Sequence, residues 1–264
     1  MATEKDVLRA WEANEALLHG RIHPLVIEPL NKPPGLSTEA EWNYIIATSL
    51  AVSFDTFTAV QILCNPNAEA RLWTDGYVLS RSLFEVSVSL EWCKKSPENL
   101  QRFLDEYHLI VARQLDALPE AKRGEVKPER LAQIKERETT VLKKYDRGPR
   151  TMSVMKSLEQ MCTELSKDEK EPNKLWEYNN YYREVSRFVH PTMWHLFSYR
   201  AKRTAITEVD PSPDTGFRAL LISGGCFLRI LQQWNECFKR LPFYQPYEWQ
   251  KEWEVLLPAR EPSG

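Results

Sequence analysis

The sequence predicts an all-α protein, a single helical-bundle domain of about seven to nine helices. Three observations carry this. Glycine is scarce, with 9 in 264 residues, and apolar–polar alternation is rare, so strands and hairpins lack their signals. Apolar residues recur at three- and four-residue spacing over most of the chain, the period of a helix that buries one face. The 17 prolines punctuate these stretches, and proline ends a helix by clashing with the preceding turn.

The elements follow in order. Thr3 to about Leu18 reads as a first helix, opened by the capping-box sequence TEKD. RIHPLVIEPLNKPPGL holds four prolines and reads as an extended connector. Thr38 and Glu41 form a second capping-box pattern, and a long apolar helix runs from there to about Cys64. A third helix covers about Glu69 to Lys95. Ser96 is then an N-cap with Pro97 at the first helical position, and the fourth helix ends near Pro119. Residues 120–150 are highly charged. KPERLAQIKERETTVLKKYDRG reads there as a helix with a thin apolar stripe and a solvated outer face. A helix from Met152 to Leu165 follows, then a polar loop. The next helix spans Asn173 to His190, because Pro191 cannot continue it. Phe217 to Lys239 is a long helix whose Gly224–Gly225 pair signals a close neighbour. A short amphipathic helix, YEWQKEWEVLL, precedes the tail. The organisation is a helix and proline-rich connector over 1–37, a helical core over 38–240, and a C-terminal helix and tail over 241–264.

Composition narrows the class. A chain 42% hydrophobic and 27% charged folds. A net charge of −2 gives no global basic field for nucleic acid. The five cysteines are odd in number, widely spaced and without a C-x-x-C pair, so they read as buried thiols in a reducing compartment. The first residues, MATEKDVLRAWEANEALL, are charged and do not read as a signal peptide. No uninterrupted apolar run reaches about 18 residues. The expectation is a cytoplasmic protein with no membrane contact. The nine tryptophans read as aromatic wedges between helices.

Two polar constellations stand out. In NKLWEYNNYYREVSRFVH, a uniform 100° per residue puts Leu175, Tyr178, Tyr182, Val185 and Val189 on one core-facing stripe. With Arg183 at zero, His190 falls about 20° away, Ser186 about 60°, and Arg187 about 40° to the other side. Arg183, Ser186 and His190 therefore share a face that Tyr182 borders. In YVLSRSLFEVSVSLEW, Arg81 and Glu85 interrupt an apolar run at i, i+4. Burying one without the other costs several kcal/mol, so they pair. The pair either fixes helix register or walls a site. His190 before a proline equally suits a helix cap over the last carbonyls.

These residues carry a resemblance. Arg81-x-x-x-Glu85, Arg102-Phe103, and Tyr182-x-x-x-Ser186-x-x-x-His190 resemble the pattern of a bacterial family of uncharacterised helical proteins, domain of unknown function 5677, over about residues 45–240. More distantly, Arg183, six intervening residues and His190 resemble the Arg-x4–6-His motif of HEPN domains. Glu184 stands where many such motifs have Asn, Asp or His. Many HEPN domains are metal-independent ribonucleases of toxin–antitoxin and phage-defence systems, built as homodimers.

That resemblance implies a candidate catalytic set of His190, Arg183 and Ser186. Arg81, Glu85, Tyr182 and Arg187 would bind or orient the substrate. His190 would move the proton, Arg183 would hold the phosphate, and Ser186 would orient the imidazole or bind a phosphate oxygen. Between Arg183 and Arg203 five cations face Glu184 alone, which suits phosphate. No cofactor is expected, since no glycine-rich phosphate loop occurs. No metal site is expected, since His190 and His195 straddle Pro191, and His19 and His23 lie between Gly20 and Pro24. The implied partners are a second copy of the chain, RNA or a nucleotide, and an antitoxin or defence protein. The alternatives are a non-catalytic module binding a nucleotide or other anion, and a regulatory or structural dimer.

Overall fold

In the computed structural model, the regular elements among the described residues are all helical, and the fold is all-α. The structure describes residues 2–22, 38–69, 72–148, 153–167, 174–189, 212–242 and 244–256. The helices are α1 (Glu4–Leu17), α2 (Thr38–Leu63), α3 (Trp73–Lys95), α4 (Pro97–Ala117), α5 (Glu120–Arg123), α6 (Pro128–Lys144), α7 (Leu158–Leu165), α8 (Lys174–Glu177), α9 (Arg183–Val189), α10 (Pro213–Phe238) and α11 (Gln245–Leu256). Two π-helical turns, Leu18–Ile22 and Tyr178–Tyr182, follow α1 and join α8 to α9. The chain forms two compact units, Met1–Leu90 with Glu171–Gly264, and Glu91–Lys170.

The first unit is built on α10, which buries Leu220, Phe227 and Leu231 among others. Phe227 stacks on Phe57 of α2 with ring centres 5.0 Å apart. Asn14 of α1 donates to the Leu220 carbonyl at 3.1 Å and accepts from Trp253 Nε1 of α11 at 2.8 Å. One buried amide thus ties three helices and has both ends satisfied. The close approach signalled by Gly224–Gly225 is here. A Cβ on Gly224 would lie 2.6 Å from both Asn14 Oδ1 and the Trp253 ring, whereas Gly225 leaves 3.7 Å. Trp11 and Gln61 exchange side-chain-to-backbone hydrogen bonds between α1 and α2 at 3.0 and 2.8 Å.

The second unit pairs α4 with α6. Asp105 accepts from Lys144 at 2.6 Å, Tyr145 at 2.9 Å and Gln101 at 2.9 Å. Leu109, Val141 and Val154 form the small core beneath. Elsewhere α6 is solvated, as its charge run implies, and it buries Val141 alone.

Several sequence expectations hold in detail. Thr3 and Asp6 close a capping box, and Ser96 caps α4 ahead of Pro97. Four of the five cysteines are buried and all are free thiols. Trp73, Trp92, Trp234, Trp249 and Trp253 are buried wedges. The Thr38, Glu41, Arg187 and Val189 side chains, His190 and the Arg200–Arg203 cations lie outside what the structure describes.

Other expectations need correction. The third helix starts at Trp73 rather than Glu69. The helix expected from Met152 starts at Leu158, where Ser157 and Gln160 form a capping box. The Asn173–His190 helix is interrupted by the second π turn. Finally, α2 contains a stretch, Trp42–Leu63, long and apolar enough to cross a bilayer by length and composition, with mean hydropathy 1.4. Scattered Ser and Thr residues hide it from a search for unbroken apolar residues. Core helices of all-α proteins are also apolar all round, and α2 buries Ile46, Leu50, Phe57 and Val60.

Candidate functional site

The second π turn sets the geometry of the site. Arg183 N–H donates to the Tyr178 carbonyl, five residues back, so the turn holds one residue more than an α turn. Residues before and after it are therefore out of phase on a uniform helical wheel. Of the predicted core stripe, Val185 is buried, while Leu175, Tyr178 and Tyr182 are half-buried. Lys174 and Glu177 turn inward instead. Glu177 accepts from Arg229 Nη1 at 2.9 and 3.0 Å, and Lys174 Nζ lies 3.6 Å away. Burial pushes the Glu177 carboxyl up, but the Arg229 and Lys174 charges more than offset this and hold it below the usual range.

Tyr182 leaves the π turn pointing at α3. Arg81 Nε donates to Glu85 Oε1 at 2.9 Å, as the i, i+4 spacing predicts. Arg81 Nη2 donates to the Tyr182 hydroxyl at 2.7 Å, and that hydroxyl donates to the same Glu85 oxygen at 2.7 Å. The three groups close a ring. The Arg81 guanidinium also lies 4.7 Å from the Tyr182 ring centre, a cation–π distance. Burial, then the Glu85 hydrogen bond and charge, push the Tyr182 phenol up to about 12. At neutral pH it is therefore a donor to Glu85, not a base. Arg81 and Glu85 side chains are 20% and 42% exposed, so the pair is half-buried and its outer edge meets solvent.

The rest of the predicted set divides. Ser186 donates to the Tyr182 carbonyl at 2.8 Å, so its proton is spent on the helix and its oxygen remains an acceptor. Arg183 is exposed and lines a cleft of about 800 Å³ together with Trp176, Asn179, Asn180, Tyr181 and Arg218. Thus Tyr182 with Arg81 and Glu85 forms one cluster, and Arg183 belongs to another, on the cleft.

Sequence reasoning missed most of that cleft. Arg218 of α10 is held by Glu184 at 2.5 Å and by Asp214 at 2.8 Å. The i, i+4 spacing of Asp214 and Arg218 in PDTGFR is the signal that was there to find. Arg183 has no carboxylate partner among the described residues; its Nη1 meets Asn179 Oδ1 at 3.4 Å. Trp176 is 43% exposed and stands edge-on to Tyr181, ring centres 5.4 Å apart. Asn180 Nδ2 donates to the Trp176 carbonyl at 2.8 Å. The aromatic–amide run WEYNNYYR is the other sequence signal.

Residues 43–204, more than half of the chain, match a family of unknown function, DUF5677. The matched span includes Arg81, Glu85, Tyr182 and Arg183, and Arg218 lies beyond it. No curated protein and no solved structure matches the chain.

Proposed function

Because the chain belongs to DUF5677, a family of unknown function, we propose its activity from the Arg183 cleft: a metal-independent endoribonuclease of the HEPN type, in a bacterial toxin or phage-defence setting. The observation that carries this is Arg183 itself. It is an exposed guanidinium on a cleft, without a carboxylate partner among the described residues, and it lies on the same sequence motif as His190. A guanidinium binds a phosphate through two parallel N–H groups. In the reaction, the ribose 2′-oxygen attacks phosphorus and the bond from phosphorus to the 5′-oxygen breaks. One proton leaves the 2′-hydroxyl and one reaches the departing 5′-oxygen. The products are a 2′,3′-cyclic phosphate and a 5′-hydroxyl. Arg183 holds the charged phosphate, and His190 handles a proton at an imidazole whose ordinary pKa suits neutral pH. The ring of Arg81, Glu85 and Tyr182 fixes the π turn and so positions Arg183. The same reading implies a homodimer, a cytoplasmic setting and an antitoxin or defence protein as partner.

The test is RNA cleavage in EDTA, on total RNA and tRNA, by wild type, His190→Ala and Arg183→Ala. Wild type should leave cyclic-phosphate ends. Arg183→Ala should lose about 10²–10³-fold in rate, the effect of removing one charge-stabilising donor, and His190→Ala about 10²–10⁴-fold, the effect of removing a positioned proton-transfer group. Arg183→Ala should keep wild-type stability, since its side chain is exposed. Equal cleavage by all three proteins sinks the proposal. A second reading, a module that binds a nucleotide and cleaves nothing, is favoured by the aromatic and amide lining of the cleft. It gains if wild type binds RNA, Arg183→Ala does not, and neither cuts it.

A further inference from the structure

We infer that the Arg183 cleft takes a single unpaired nucleotide unit, one phosphate with its base, and that the base stacks in the corner formed by Trp176 and Tyr181. The inference rests on the reading of Arg183 as a phosphate-holding residue and says what lies beside that phosphate.

Charge is the first consideration. Among the described residues the cleft holds two arginines, Arg183 and Arg218, and two carboxylates, Glu184 and Asp214. Both carboxylates are engaged by Arg218. Among these residues that leaves one guanidinium for a ligand. One phosphate is matched by this arrangement. A triphosphate brings three or more negative charges past Glu184 and Asp214 and finds one uncommitted cation among the described residues, so it is disfavoured.

The walls are the second consideration. Trp176 and Tyr181 meet at 89°. Two perpendicular rings make a corner, in which a flat base lies on one face and presents its edge to the other. Stacking of this kind is how proteins hold single-stranded RNA, whose bases are free to splay out. The two neighbouring amides complement a base edge. Asn180 commits its Nδ2 to the Trp176 carbonyl and keeps Oδ1 as an acceptor. Asn179 turns Oδ1 towards Arg183 and keeps Nδ2 as a donor. One donor and one acceptor side by side suit the hydrogen-bonding edge of a base.

Size is the third consideration. About 800 Å³ falls within the range of pockets that enclose small organic ligands, about 300–1,000 Å³. It holds a nucleotide and its neighbour's phosphate, and does not admit a duplex with its bases stacked inside.

The π turn is what brings these parts together. It presents Asn179, Asn180 and Tyr181 to the cleft while sending Tyr182 the other way, to Arg81 and Glu85. π turns inserted in helices recur at functional sites.

The experiment uses wild-type protein and a 2′-O-methyl oligonucleotide, which has no 2′-hydroxyl and cannot be cut. Its binding is compared by fluorescence anisotropy with that of the same strand carrying abasic positions and that of its duplex. Loss of the bases should weaken binding about tenfold or more, and so should duplex formation. Trp176→Ala should bind intact and abasic strands alike, with unfolding in urea confirming that it remains folded. AMP, ATP and ribose 5-phosphate form the second arm. AMP should outbind ribose 5-phosphate, and ATP should bind no tighter than AMP. An AMP affinity equal to that of the oligonucleotide supports the cleft chemistry and assigns it to a free nucleotide rather than an RNA chain. Equal affinity of wild type for intact and abasic strands overturns the inference, and if Arg183→Ala still weakens both, the phosphate reading survives on its own. ATP binding tenfold tighter than AMP, or no binding of any probe, also overturns it.

Discussion

Replacing Tyr182 by Phe removes one oxygen and tests the closed ring. The lost hydroxyl accepts from Arg81 Nη2 and donates to Glu85 Oε1, both at 2.7 Å. A hydrogen bond to a charged group contributes about 1.5–3 kcal/mol when water is excluded. Here water is partly present, since Arg81 and Glu85 are 20% and 42% exposed, and solvent recovers much of the Glu85 side. The direct Arg81–Glu85 bond stays. So do the ring contacts with Tyr178, at 5.2 Å, and Phe84, at 5.8 Å. The net expectation is a loss of about 1–2.5 kcal/mol, read as a lower urea midpoint at unchanged slope. The pH dependence follows from the raised phenol. An unfolded tyrosine ionises near 10 and the folded one at about 12. Below pH 10 both states keep the proton and the contribution is whole. Between 10 and 12 the unfolded state alone releases its proton, so the contribution shrinks. The gap between wild type and Tyr182→Phe should be flat from pH 7 to about 9.5 and narrow by pH 11. A gap under about 0.5 kcal/mol at pH 7, the range of an indifferent surface change, or one that widens with pH, refutes the reasoning.

Two other substitutions probe the packing and the buried charges. Gly224→Ala should cost about 1–3 kcal/mol, because its Cβ meets the Asn14–Trp253 hydrogen bond. Gly225→Ala, with 3.7 Å of room, should be neutral or slightly stabilising, and urea unfolding of the two side by side is the check. Glu177→Gln removes the carboxylate charge that Arg229 and Lys174 meet here and should cost up to about 3–5 kcal/mol, the range for one partner of a buried pair. The Arg229 and Lys174 charges hold the wild-type Glu177 carboxyl below the usual carboxylate range, so its contribution is whole above that range and is lost as pH falls through the folded value. The acid limb of the stability curve should be shallower in the variant.

What the sequence disclosed depended on how local the cause was. Arg81 and Glu85 were legible because two charges one helical turn apart in an apolar run have few places to go but each other. The Thr3 and Ser96 caps were legible because a cap is written within four residues. The cleft was not legible, for two reasons. Arg218 and Asp214 reach it from α10, more than thirty residues along the chain from Arg183. The other lining residues take their directions from a π turn, which a wheel drawn at 100° per residue cannot represent. The same turn explains why Glu177, placed by the wheel off the buried stripe, turns inward to Arg229, while Tyr182, placed on it, sits at a half-exposed junction.

The π turn also has a meaning for how this surface changes over generations. A helix widened by one residue is an insertion that the chain absorbed without breaking. Removing any one residue of Tyr178–Tyr182 restores ordinary winding and leaves α8 and α9 facing as they do now, because the widened turn carries its extra residue within itself. The change would fall on the turn's own side chains, those that line the cleft or meet Arg81 and Glu85, while the core contacts on either side stayed where they are. A single-residue indel, usually a lesion along a whole helix, is confined here to one turn.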